Sequence, residues 1–252
     1  MSTTAPDIET SLNTALGGRI KLVQPATGYR AAIDPVFLAA SLRCEAGDHV
    51  LDLGTGVGTA ALCLTSRIEG VRVTGLELQP VLVDLANQNV FANGLSERIA
   101  VIEGDLRRDP IGEADDLFDH VMANPPYYKQ GEGQISPNAI KAVANMEGEG
   151  GLGAWIQAGV QNLKPGGSIS VIHTAERLDD LLLELRDADA GGIEVFPLWP
   201  AAGRRAKRVI VRAVKEGRGA LTMHAGIVLH DDNNEYSSAA RSVLQDGAPL
   251  TI

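Results

Sequence analysis

From His49 onward, short apolar runs at 49–53, 71–76, 98–103, 117–123 and 168–173 alternate with stretches of helical periodicity at 57–68, 80–93, 152–163 and 175–190. That alternation predicts βαβ units, which set successive strands side by side in parallel and cover both faces of the sheet with helices. Two last runs, Ile193–Trp199 and Ala206–Val214, have no long helix between them and are expected to close the sheet as an antiparallel pair. In such an α/β sheet, ligands bind at the carboxyl ends of the strands.

Ahead of this pattern the chain is polar to about Thr14, which reads as a disordered tail. Gly18–Gln24 then alternates like a short strand, and Asp34 opens an apolar helical run through Leu42. Residues 15–45 are therefore expected to pack as an extension on one domain spanning 46–252. Lys129–Gly153 interrupts the alternation with six glycines and Ser136-Pro137, and predicts a mobile loop around one short helix at 138–146 that could cover a site. Asp231–Tyr236 predicts a polar turn before a last short helix, Ser238–Leu244.

With 44% hydrophobic residues in 252, the chain can bury a large core, which excludes intrinsic disorder. No apolar stretch is long enough to span a bilayer, and the polar, acidic start is unlike a signal peptide, so a cytoplasmic location and no membrane contact are expected. Cys44 and Cys63 are the only cysteines and neither has a Cys or His at zinc-ligand spacing, so neither disulfide nor metal is expected. His49, His120, His173, His224 and His230 are scattered and read as core or surface residues. The formal charge of -10 argues against indiscriminate polyanion binding, yet Gly203–Arg218 holds seven basic residues and one acid. Within that run, strand alternation turns some side chains into the sheet, leaving Arg204, Arg205 and Lys207 at its entrance as candidate phosphate contacts.

Chemistry concentrates at strand ends. The first run passes into Asp52-Leu53-Gly54-Thr55-Gly56-Val57-Gly58 and then a helix. Gly54 and Gly56 allow a tight turn and close approach of backbone to a ligand, and Gly58 lets helix and strand pack closely. The spacing is GxGxG, and the carboxylate of Asp52 would repel a pyrophosphate but could accept hydrogen bonds from a ligand ammonium group. Glu77 ends the second strand, where a carboxylate can take both hydroxyls of a ribose, and Asp105 ends the third, where it could accept from an adenine amine. The fourth strand ends in Asn124-Pro125-Pro126-Tyr127, followed by Tyr128. The Asn124 side-chain oxygen and the Pro125 carbonyl could each accept one N–H of a planar amine and favour its pyramidal, nucleophilic form. Tyr127 would stack on the planar group.

The glycine loop with its three acids resembles a class I S-adenosylmethionine-dependent methyltransferase. That resemblance implies a Rossmann-like, mostly parallel seven-stranded sheet with an antiparallel closing strand and helices on both faces. It also implies S-adenosylmethionine as cofactor, with Glu77 on ribose, Asp105 on adenine, and Thr55, Leu78, Leu106 and Asn124 in the same cofactor set. The Asn-Pro-Pro-Tyr element is similar to the signature of enzymes that methylate exocyclic or amide nitrogens. Gln24–Ala39, Ala206–Ala213 and Val228–His230 extend the likeness over nearly the whole chain, to the bacterial tRNA1(Val) N6-adenine methyltransferases. In that family the segment before the glycine loop helps close over the cofactor, which implies contacts from Tyr29, Arg30 and Asp34. The resemblance implies tRNA as partner, with Tyr128 beside the target base. Guanine N2 of rRNA, a protein glutamine, a small amine, or cofactor binding without catalysis stand as alternatives.

Overall fold

The computed structural model describes residues 8–27, 33–108, 111, 117–127 and 150–252. Tyr29, Arg30, Tyr128, and most of the glycine-rich segment with its expected helix at 138–146 lie outside the described residues. An antiparallel hairpin of β1 (Thr10–Ala15) and β2 (Ile20–Pro25) leads into helix α1 (Asp34–Ser41). The main sheet follows with β3 (His49–Leu53), α2 (Thr59–Arg67), β4 (Arg72–Glu77), α3 (Pro80–Ala92), β5 (Ile99–Glu103) and β6 (Phe118–Ala123). Then come α4 (Gly151–Gln161), β7 (Leu163–Thr174), α5 (Leu178–Asp187), β8 (Ala190–Ala201) and β9 (Arg208–Lys215). Short strands β10 (Thr222–Met223) and β11 (Ile227–His230) precede a terminal turn of helix, α6 (Ser238–Arg241).

The sheet runs β5-β4-β3-β6-β7-β9-β8, with β9 antiparallel to both neighbours. Strand order reverses between β3 and β6, so the loops that leave these two strands diverge and open a crevice at their carboxyl ends. The expected seven-stranded core is present, and β10 and β11 add to the edge of β8 in parallel, making nine strands among the described residues. These two are only two and four residues long, too short to show as apolar runs. Among the described residues no helix is long and apolar enough to cross a membrane.

Alternation explains how one sheet serves two cores. Val50 and Met122 face α1, α2 and α3, whereas Leu51, Leu53, Val121 and Ala123 face α4 and α5. All eight residues of α1 are buried, because α2, the sheet and the C-terminal segment enclose it: the Leu250 N–H donates to the Ala40 carbonyl at 2.8 Å.

The expected polar tail is partly a strand. Thr10 to Ala15 pairs residue for residue with Pro25 to Ile20, turning through Gly17 and Gly18 at φ 63° and 93°, values that glycine adopts without strain. Its polar alternation hid it, since only half-buried positions face the protein. The free edge of β2 is satisfied by α3. Asn89 accepts from the Val23 N–H at 2.7 Å and donates to the Val23 carbonyl at 2.8 Å, while Asn93 does the same for Lys21 at 2.9 and 2.7 Å. Four helical residues rise about 6 Å and two strand residues about 6.6 Å, so side chains at i and i+4 match alternate strand residues.

Asn89 also donates to the Val57 carbonyl in the glycine loop at 3.0 Å and is fully buried. Asn89→Ala therefore strands three backbone groups and should destabilise the fold by about 2–4 kcal/mol, lowering the melting temperature by roughly 5–15 °C. Calorimetry checks this; a shift under about 2 °C would mean that water replaces the amide.

Candidate active site

At the mouth of the crevice, β3 and β6 pair in parallel with Leu53 opposite Ala123, so Gly54 and Asn124 leave adjacent strands at the same end. On the other side of β3, Leu53 lies opposite Leu76 and Glu77 lies opposite Glu103, so Asp105 and Glu77 leave β5 and β4 at that end too. The topology thus lines up Asp105, Glu77, the glycine loop and the Asn-Pro-Pro-Tyr element along one edge of the sheet.

The glycine loop is built from backbone conformations that side chains oppose. Gly54, Gly56 and Gly58 have φ of 65°, 60° and 84°. At Gly54 a Cβ would also come within 2.5 Å of the Trp155 indole, which α4 lays over the loop. Glu77 reaches under the turn: one carboxylate oxygen accepts from the Gly56 N–H and the other from the Gln79 N–H, each at 2.9 Å. Each oxygen keeps a further lone pair, so the two hydroxyls of a ribose can still be taken. Thr55 donates its hydroxyl to Asp52 at 2.6 Å. Leu78 is 47% exposed beside Glu77, and Leu106 packs with Trp155 against the core under α4 and α5. Glycines that bring backbone close, two acids and an exposed leucine fit a small nucleoside with a charged tail. Asp105 is differently engaged, since Arg107 holds it with contacts of 2.8 and 2.6 Å. An adenine amine would have to share or displace that guanidinium.

Burial pushes the Asp52 carboxyl up to about 7, with the nearby Glu77 adding to the rise against the Thr55 hydrogen bond. Glu77 is likewise raised by burial, against its backbone hydrogen bonds. A carboxyl whose pKa rises on folding favours the folded state while protonated, and that contribution is lost as pH climbs from about 4 through 7. Stability of the ligand-free protein should fall over that range by up to a few kcal/mol more than in Asp52→Asn. Denaturation midpoints at pH 5 and 8 read this; equal pH dependence in both proteins would mean that Asp52 is ionised throughout.

On the β6 side the side chains form one network. The Tyr127 hydroxyl lies 2.5 Å from Asp34 Oδ2 and 2.9 Å from Asn124 Oδ1. Arg208 donates Nε–H to the same Asp34 oxygen at 3.0 Å and lays its guanidinium over the Tyr127 ring, 4.4 Å from the centroid. Burial and then the Asp34 carboxylate hold the Tyr127 hydroxyl well above the ordinary tyrosine range, so it stays a donor. Its single proton serves one acceptor at a time. When Asp34 takes it, Asn124 Oδ1 keeps both lone pairs for a substrate N–H. His173, at the end of β7, is fully buried and lies 3.2 Å from the Pro126 carbonyl, with its ring edge-on to Tyr127. Burial and then Arg177 depress it to about 4, so it is neutral at pH 7 and positions the Pro-Pro turn by hydrogen bonding.

Most of the expected residues thus lie at one end of the sheet, and two that sequence reasoning passed over belong with them. Arg208 was visible only as part of a basic strand whose alternation turns some residues inward, and His173 only as a polar residue ending a parallel strand. One face of Tyr127, expected to stack on the substrate, carries Arg208. Arg204, Arg205 and Lys207 are exposed in the turn between β8 and β9, and the Lys207 carbonyl accepts from the Ala175 N–H just past β7. They form a basic rim next to the Asn124 side of the crevice.

The family model for the methyltransferase small domain matches residues 33–184. A Porphyromonas gingivalis protein named tRNA1(Val) (adenine(37)-N6)-methyltransferase is 31% identical over 166 residues, 64% of each chain. One of the same name from Shewanella amazonensis is 26% identical over 219 residues, 87% of this chain and 91% of its own. In fold, the chain is similar to the crystal structure of a predicted O-methyltransferase from Agrobacterium tumefaciens, with TM-score 0.72 and 24% identity over 86% of this chain and 98% of that one. With the matched region reaching from Ile33 before α1 to Glu184 in α5, well over half of its length, this chain belongs to the methyltransferase small domain family.

Proposed function

We propose that the protein transfers a methyl group from S-adenosylmethionine to N6 of an adenine in tRNA. The observation that carries this is the adjacency of the two strand ends: the glycine loop after β3 and the amine-binding element after β6 open into one crevice. When bound, S-adenosylmethionine supplies an electrophilic methyl on a sulfonium. Glu77 takes the ribose hydroxyls, and Gly54 and Gly56 let the backbone approach. Asp52 accepts from the amino-acid end, directly or through water. Asp34 accepts the hydrogen bond of the Tyr127 hydroxyl, which frees Asn124 Oδ1 to accept one adenine N–H while the Pro125 carbonyl accepts the other. Holding both N–H bonds turns the nitrogen lone pair toward the methyl and relieves its delocalisation into the ring. No strong base is needed, because the amine proton becomes acidic only after transfer; it then leaves to water, and S-adenosylhomocysteine is the other product. The neutral His173 is a positioning residue, holding the Pro-Pro turn.

For the substrate, the basic rim at Arg204, Arg205 and Lys207 supports an RNA backbone lying across the Asn124 side, and the net charge of -10 disfavours other polyanions. The two relatives named tRNA1(Val) (adenine(37)-N6)-methyltransferase support adenine in tRNA as the target. An adenine inside a folded RNA must leave its stack to reach Asn124. The test is transfer of labelled methyl from S-adenosylmethionine to tRNA lacking the modification. Label in tRNA that falls at least about tenfold in Arg204→Glu/Arg205→Glu/Lys207→Glu supports the reading. Label only in protein or small amines, from protein that binds the cofactor, would overturn the RNA assignment.

A further inference from the structure

At the amino end of the same strands the fold gathers three side chains that the transfer reaction does not use. Cys44 lies after α1, Asp48 just before β3, and His120 near the start of β6, 76 residues from Cys44. Their sulfur, carboxylate oxygen and imidazole nitrogen all lie within 4.8 Å of one another, and none of the three is fully buried. We propose that Cys44, Asp48 and His120 form a binding site for a divalent transition-metal ion of the zinc class.

Three observations support it. First, His120 Nε2 is 3.2 Å from Asp48 Oδ2. Two ligands at zinc bond lengths of about 2.0–2.2 Å, separated by that distance, subtend about 100° at the metal, close to tetrahedral. The sulfur, at a bond length of about 2.3 Å, reaches the same point with a shift of about 1 Å or less. Second, His120 is already oriented as a ligand. Its Nδ1 lies 2.8 Å from Ser168 Oγ on the neighbouring strand β7, and with Nδ1–H donated there, Nε2 presents its lone pair to the cluster. Third, the Glu45 N–H donates to Asp48 Oδ2 at 2.7 Å, which fixes the carboxylate within the loop that also carries Cys44.

The donor set decides the ion. A thiolate excludes calcium and magnesium, which take oxygen ligands, and the mixed sulfur, nitrogen and oxygen set suits zinc, with water in the fourth position. Binding exchanges the thiol proton for the metal and releases it to solvent. The site lies opposite the crevice, so its role is structural: it ties the segment leaving α1 to β3 and β6. Helix α1 carries Asp34 at its other end, so a bound ion would brace the element that supports Tyr127. Cys44 and His120 stand far apart along the chain and meet only when β3 and β6 pair, so residue spacing alone does not reveal the cluster.

The experiment titrates Co2+ into the chelator-treated full-length protein and follows absorption. One equivalent should produce a thiolate-to-cobalt charge-transfer band and tetrahedral ligand-field bands, both removed by equimolar Zn2+. Cys44→Ser should lose the charge-transfer band, and His120→Gln should weaken Co2+ binding at least tenfold. A wild-type protein with no such band, or a band that survives Cys44→Ser, would overturn the site. Should Cys44→Ser fail to fold, alkylation of the wild-type thiols decides: Zn2+ must protect Cys44, read by peptide mass spectrometry, and equal modification with and without Zn2+ refutes the proposal.

Discussion

Asn124→Ala is expected to lower the rate of methyl transfer by about two to three orders of magnitude while S-adenosylmethionine affinity falls by less than about tenfold. The asymmetry follows from what the side chain touches. Its oxygen lies 2.9 Å from the Tyr127 hydroxyl, on the β6 side of the crevice, whereas the glycine loop and Glu77 are held by contacts that do not involve it. Removing the amide takes away an acceptor that is stronger for the pyramidal amine than for the planar one, so the loss falls on the chemical step. Single-turnover rates with saturating cofactor and tRNA measure it. A variant that keeps its rate but loses cofactor affinity would instead place Asn124 on the cofactor side alone.

Gly54→Ala should destabilise the protein by about 2–5 kcal/mol and weaken S-adenosylmethionine binding at least about tenfold. Two terms add: a left-handed φ of 65° opposes any Cβ by about 1–2 kcal/mol, and a Cβ 2.5 Å from the Trp155 ring forces a shift of about 1–3 kcal/mol. A double-mutant cycle separates them. In a Trp155→Ala background the penalty for Gly54→Ala should shrink by about 1–3 kcal/mol, the packing part, and leave the backbone part. An unchanged penalty would mean that Trp155 yields freely and that backbone strain carries the whole effect. In the proposed site the displaced backbone is the cofactor's floor, so isothermal titration should register the lost affinity in the single variant.

Local features of the chain announced the site's skeleton. The glycine loop, Glu77, Asp105 and the Asn-Pro-Pro-Tyr element each stand where an apolar run ends, and strand ends are visible as breaks in period-two patterning. Which ends adjoin is a matter of strand order, and the reversal between β3 and β6 followed from βαβ repetition only by way of resemblance. What stayed hidden was made by tertiary contact. Arg208 joins Asp34 and Tyr127 across 174 and 81 positions, so its basic run suggested phosphate contacts in general and not a role under the tyrosine ring. His173 is polar in an apolar strand, but nothing local says that its partner is the Pro126 carbonyl. β1 escaped notice because a two-stranded hairpin half in solvent can be mostly polar. Asp105 is a mixed case: its place at a strand end is legible in the sequence, whereas its pairing with Arg107, two residues on, shows only in the side-chain contacts.

In the proposed reaction a sulfonium methyl above the glycine loop after β3 meets an adenine N6 held at Asn124 after β6. Nucleoside mass spectrometry of unmodified tRNA, incubated with the protein and S-adenosylmethionine carrying an isotopically labelled methyl, is the decisive measurement. Labelled N6-methyladenosine is expected with the wild-type protein and absent with Asn124→Ala. Label on a ring nitrogen, on guanine N2 or on a ribose oxygen would contradict it.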